Sequence, residues 1–171
     1  MTSEHTQAAP SFAGMLPDPQ RWPQPASNTA GTFETAYLRT WRAQNLVDAR
    51  AAASLLLYAV GNNHSGSYFP VVLGIFPFLE RVLRDGGEWA RFAALDSLTD
   101  LCGSFGPEPG FGTVILESAS EPVPVQAALW SRTLQLRPLI APPAACKGEL
   151  GMAAASLLDV LAVGPAEEPA A

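Results

Sequence analysis

An all-α fold is predicted by three features of the sequence. Ala and Leu dominate a hydrophobic fraction of 48% that is only 9% aromatic. Apolar residues recur at i, i+3 and i+4 rather than in alternation, and β-branched residues are sparse. A chain of 171 residues allows one domain, and short amphipathic helices packed at close range are the economical way to bury such a composition.

The elements follow in order. Residues 1–30 read as a disordered or draped tail, because "AAPSFAGMLPDPQRWPQPAS" carries five prolines that fix φ and remove donors. Trp22 within it reads as incidental. The helical domain is expected over 31–164, and 165–171 as a frayed C-terminal tail. "TFETAYLRTWRAQ" places Phe33, Ala36, Tyr37, Thr40 and Trp41 at helical spacing, with Thr32 as the cap. "LVDARAAASLLLYAV" carries a second stripe, Ala49, Ala52, Ala53, Leu56, Leu57 and Val60, which Gly61 and Asn62 would end in left-handed geometry.

A third helix is expected from Ser67 to Arg84, kinked at Pro77, and a fourth from Glu88 to Cys102. The short polar link between them requires antiparallel packing. A Gly- and Pro-rich connection of about 20 residues follows, longer than a packed domain normally carries without purpose, and "TVILES" inside it reads as a short strand or a helical turn. "VQAALWSRTLQL" resumes helical periodicity until Pro138, Pro142 and Pro143 break it. "ELGMAAASLLDVLAV" forms the last helix, with Gly164 as its cap.

Charge and missing motifs exclude several functions. With 10 Lys plus Arg against 16 Asp plus Glu, a formal charge of -6 gives no basic surface for a run of phosphates, so nucleic acid is not the expected partner. The start "MTSEHTQAAP" has neither basic residues nor a following apolar run, and the longest apolar stretches are about 10 residues, too short for a bilayer. No membrane association and a cytoplasmic location are therefore expected. Cys102 and Cys146 lack motif spacing and read as reduced thiols.

No catalytic constellation is visible. His64 in "GNNHSGS" has no nearby carboxylate to orient it and no Gly-x-Ser-x-Gly elbow; His64, Asn63 and Ser67 are instead expected to satisfy amides at a helix start. His5, His64, Cys102 and Cys146 are too scattered for a metal site. "GSFGPEPGFG" has proline where a phosphate cradle needs donating amides. No metal, no cofactor and no enzymatic activity are expected.

Two motifs resemble a known family. Pro77, Leu79, Val82 and Leu83, then Asp85 at a corner, then Arg91, Ala94 and Leu98, reproduce the pattern of a HEAT repeat, in which two antiparallel helices form one unit of a stack. Asp85 would accept from helix-start amides, Arg91 would reach a neighbouring repeat, and Ala94 would let helices approach closely before Leu98 fills the gap. Upstream, His64, Gly66, Ser67, Pro70, Pro77, Phe78 and Leu79 resemble a segment of bacterial HEAT-like proteins, many of unknown function. Together these resemblances imply a short right-handed α-α superhelix of about three stacked hairpins.

What the resemblance implies for function is binding of another protein. HEAT-like bacterial proteins of this size often resemble immunity proteins, which neutralise a toxin by direct binding; the alternative is a scaffold or regulatory subunit of a larger assembly. Either suits the elongated surface of a solenoid, and the acidic balance favours a basic partner weakly. His64 and Tyr68, at the mouth of the third helix, and Pro107, Glu108 and Phe111, in the long connection, are the candidate contact residues.

Overall fold

The alanine- and leucine-rich runs fold as helices because little side-chain entropy is lost in them and their apolar residues recur at helical spacing. The computed structural model describes residues 11–165. Among these residues lie seven α-helices: α1 (Thr32–Trp41), α2 (Leu46–Val60), α3 (Phe76–Asp85), α4 (Glu88–Gly103), α5 (Val125–Gln135), α6 (Arg137–Ala144) and α7 (Glu149–Val163). The protein is thus largely helical. Five two-residue strands qualify the all-α expectation: β1 (Gly61–Asn62), β2 (Ser67–Tyr68), β3 (Gly106–Pro107), β4 (Thr113–Val114) and β5 (Val123–Pro124).

Helix α4 is the centre. It packs against α2 on one flank and against α7 on another, while α1 lies on α2, α3 on α4 and α6 on α7. Its small residues Ala90, Ala93 and Ala94 are fully buried, which permits this double contact, and Leu95 and Leu98 fill the space between. Helix α2 starts from a reciprocal cap: the Asn45 side chain accepts from Asp48 N at 2.9 Å and donates to Asp48 Oδ2 at 2.9 Å.

Several boundaries differ from the expectation, each for a local reason. Thr32 does not cap α1; Gly31 holds that position, and the Thr32 hydroxyl accepts from Thr29 N at 2.8 Å. Gly61 is not left-handed. Its φ is -171° and it opens β1. The third helix does not begin at Ser67, because Ser67 and Tyr68 are taken by strand pairing; a 3-10 helix over Pro70–Ile75 precedes α3. Pro77 then falls in the first turn of α3, where a missing N–H costs no intrahelical bond. Pro138 occupies the same place in α6, which therefore resumes after α5, and Pro142 and Pro143 stop it within one further turn.

The expected roles of the corner residues also change. Asp85 caps nothing and pairs with Arg81 at 2.7 Å. Arg91 reaches no neighbouring hairpin; its Nε donates to Gly86 O at 3.0 Å and ties its own corner. Ala94 and Leu98 are fully buried.

Residues 11–30 are draped on the helices rather than disordered; 1–10 and 166–171 lie outside the described residues. Tyr37 of α1 stacks on Phe78 of α3 with centroids 3.7 Å apart, and Phe12 meets both rings edge-on, at 5.9 and 5.3 Å. The buried Tyr37 hydroxyl donates to Met15 O at 3.3 Å, and burial pushes its pKa well above the ordinary phenol value. Trp22 is an anchor, not an incidental aromatic. It is 5% exposed, and an added Cβ at Gly74 would lie 3.0 Å from its ring, so the glycine makes room for the indole. Backbone bonds from Val71 N to Pro23 O (3.1 Å) and an ion pair of Arg21 with Glu117 (2.6 Å) hold the segment further along.

Candidate functional site

The site is assembled around β2. This strand pairs antiparallel with β1, Gly61 opposite Tyr68 and Asn62 opposite Ser67, and parallel with β3, Ser67 beside Gly106 and Tyr68 beside Pro107. Phe69 N donates to Val60 O at 2.8 Å, Gly106 N to Gly66 O at 2.9 Å and Glu108 N to Tyr68 O at 2.7 Å. A parallel pair needs a long crossover, and here the 3-10 helix, α3 and α4 supply it. Two segments forty residues apart in sequence thereby share one surface.

Four of the five candidate contact residues come together on that surface. Pro107 and Glu108 border β2 directly. Phe111 is half-buried against Phe69, centroids 4.8 Å apart, so only part of its ring is presented. Glu108 accepts from the Ser67 hydroxyl, which also bonds Ser65 Oγ at 2.8 Å. Ser67 is 7% exposed, so this contact works as a tether between loop and strand. Tyr68 does not belong with them: it is fully buried beneath the sheet and is no contact residue.

His64 is exposed and bonds away from the serines. Its Nε2 lies 2.5 Å from the Tyr58 hydroxyl, and the two rings meet edge-on at 5.6 Å. The amide-satisfying role expected of His64 and Asn63 falls to the Asn62 side chain, which accepts from His64 N at 3.0 Å and Ser65 N at 3.3 Å. Asn63 donates instead to Ser54 Oγ at 3.0 Å.

Through Tyr58 the surface continues onto α2. Val47, Ala51, Leu55 and Tyr58 form a second apolar stripe on the outer face of that helix; Val47 is 77%, Leu55 38% and Tyr58 41% exposed. Two clefts of about 600 and 400 Å³ flank it and share Thr35 and Leu55 in their walls. Sequence reasoning found only the inward stripe. The signal was present in the consecutive run "LLLY", since a helix apolar on both faces must either be enclosed or present one face to a partner.

Other reactive groups lie elsewhere. Asp96 and Asp100 on α4 are half-buried and burial raises the pKa of both, with Arg50 opposing the shift at Asp96 and Asp96 adding to it at Asp100. Neither borders the two clefts along α2. No group of three potential metal ligands occurs among the described residues. No helix among them is long and apolar enough to cross a membrane.

The cysteines are free, Cys102 buried and Cys146 exposed. Burial pushes the Cys102 thiol up to about 11, against a lowering hydrogen bond with Thr133 at 3.6 Å. Since the thiolate is the reactive form, the native protein at pH 8 is expected to release one equivalent from a disulfide reagent promptly, from Cys146. The second should appear only on denaturation; two equally fast equivalents would contradict the placement of Cys102.

No protein-family model, curated protein or solved structure matches the chain.

Proposed function

We propose that the chain is a non-enzymatic protein-binding module of HEAT-like stacked hairpins, acting in the manner of an immunity protein that covers a toxin by direct contact. The observation that carries this reading is the outer stripe of α2. Four apolar side chains in a row on one helix face, bordered by clefts, form a contiguous patch of the kind that marks an interaction surface, with Tyr58 as the residue type favoured at interface anchors. The stacked-hairpin reading is supported by the pairing of α1 with α2, α3 with α4 and α6 with α7, and by the side-by-side contact of α2, α4 and α7. Arg39 and Arg42 line the larger cleft against Asp48, so the local charge at this surface runs opposite to the net charge of the chain.

The test compares the wild type with L55E/Y58E as tagged baits in extract of the source cell. Both residues are exposed, so circular dichroism should stay unchanged and melting should fall only slightly, through the lost Tyr58–His64 contact. Loss of a single stoichiometric partner, one that is toxic when expressed alone, is the expected result. An unaltered set of retained proteins would remove the stripe from the interface. Turnover of a substrate that H64A abolishes would defeat the non-enzymatic reading altogether.

A further inference from the structure

A second concave region, remote from the α2 stripe in the sequence, lies between α3, α5 and α6 and is closed on one side by the β4–β5 connection. It is an open cleft of about 790 Å³, within the roughly 300–1,000 Å³ usual for small-ligand sites. Leu116 and Leu139 give it an apolar wall above the nearly buried Phe76 and Leu136, and Ser118, Ser131, Gln135 and Arg132 give it a polar wall of similar extent.

Arg132 is the unusual member. Its side chain is half-buried, with Nη1 donating to Leu73 O at 2.6 Å and the guanidinium 5.8 Å above the Phe76 ring. A guanidinium has five N–H donors, and no carboxylate lies within ion-pair distance of this one among the described residues. The neighbouring acids are already matched: Glu80 pairs with Arg84 and Glu117 with Arg21. Burial, and secondly the charge of Arg21, lower the pKa of Arg132, which reports a cation short of compensation. The lining charges Arg84, Arg132 and Glu80 leave one net positive charge in a chain of net charge -6.

We propose that this cleft binds a carboxylate carried on an apolar body, with Arg132 as the anchor for the anion and the half-buried Leu116 and Leu139 as the bed for the body. A planar two-oxygen monoanion suits the guanidinium fork, whereas a phosphate dianion would find only one cation without a carboxylate partner, beside the carboxylate of Glu80. The chemistry is shared by two sources, a free organic acid and the C-terminal carboxylate of another chain.

The experiment titrates the full-length protein, followed by amide and arginine side-chain NMR. The probes are phenylbutyrate and its neutral amide, and a pentapeptide ending in Leu-Phe with a free or an amidated terminus. Shifts centred on Phe76, Ser131 and Arg132 are expected, with each acid binding at least about tenfold more tightly than its amide, as a charge-assisted bond requires. R132Q should level acid and amide, and A128F, which fills the cleft from one helical turn before the anchor and keeps its charge, should weaken both acids. Whichever acid binds more tightly identifies the source. Equal binding of acid and amide, absence of local shifts with both acids at millimolar concentration, or A128F binding like wild type would overturn the proposal. Because A128F keeps Arg132, the conclusion does not depend on R132Q folding.

Discussion

Phe12→Ala is expected to lower the unfolding free energy by about 3 kcal/mol, the lower end of the range for deleting a buried phenylalanine ring. Phe12 is 4% exposed and touches Tyr37, Trp41 and Phe78, so its removal opens a void at the meeting point of α1 and α3. The loss has a second component. Without the ring the segment that carries Met15 O loosens, and the Tyr37 hydroxyl then loses its acceptor in a place where burial makes that costly. Chemical denaturation with an unchanged slope and a shifted midpoint would show it. A midpoint equal to wild type would mean that residues 11–30 do not belong to the core.

Gly61→Ala is expected to be nearly as severe and to act on the candidate site itself. A Cβ at this position would sit 1.9 Å from Ser67 O and 2.7 Å from Tyr68 Cα, both backbone atoms with no rotamer to yield. Strands β1 and β2 must part, at a cost of about 2–3 kcal/mol, which corresponds to a fall in melting temperature of roughly 5–10 °C for a chain of this size. The amides of Phe69, Gly106 and Glu108 should exchange faster with solvent, since their acceptors lie on or beside the separated strands. Melting and exchange rates like those of wild type would show that the strands do not pair as described.

The helices were legible because their determinants are local. The bounds of α2 and α7 can be read from a 3.6-residue stripe and a stop signal, and the structure repeats them at Leu46–Val60 and Glu149–Val163. Prolines were misread because their effect depends on position within a helix: Pro77 and Pro138 look like breakers in a linear scan and are harmless in a first turn. Trp22 and Phe12 were missed since their partners are distant in the chain, and nothing in a Pro-rich segment announces where it lies.

The site was legible only in part for the same reason. His64, Pro107, Glu108 and Phe111 carry the residue types of an exposed loop, but the parallel pairing that gathers them joins residues forty positions apart. Tyr68 was mistaken for a surface residue because two-residue strands have no detectable alternation, so its inward direction is set by pairing alone. On α2 the regular inward stripe drew attention from the outer one, which the run "LLLY" hints at and the exposure of Val47, Leu55 and Tyr58 confirms.

The parallel contact of Ser67 with Gly106 also decides how the molecule would bear mechanical load. Chain leaves β2 toward the N-terminus and β3 toward the C-terminus, which are opposite ends of a parallel pair. Tension between the termini therefore shears these bonds together instead of peeling them one by one. Helices α3 and α4, enclosed between the two strands, feel no pull until that clasp gives way.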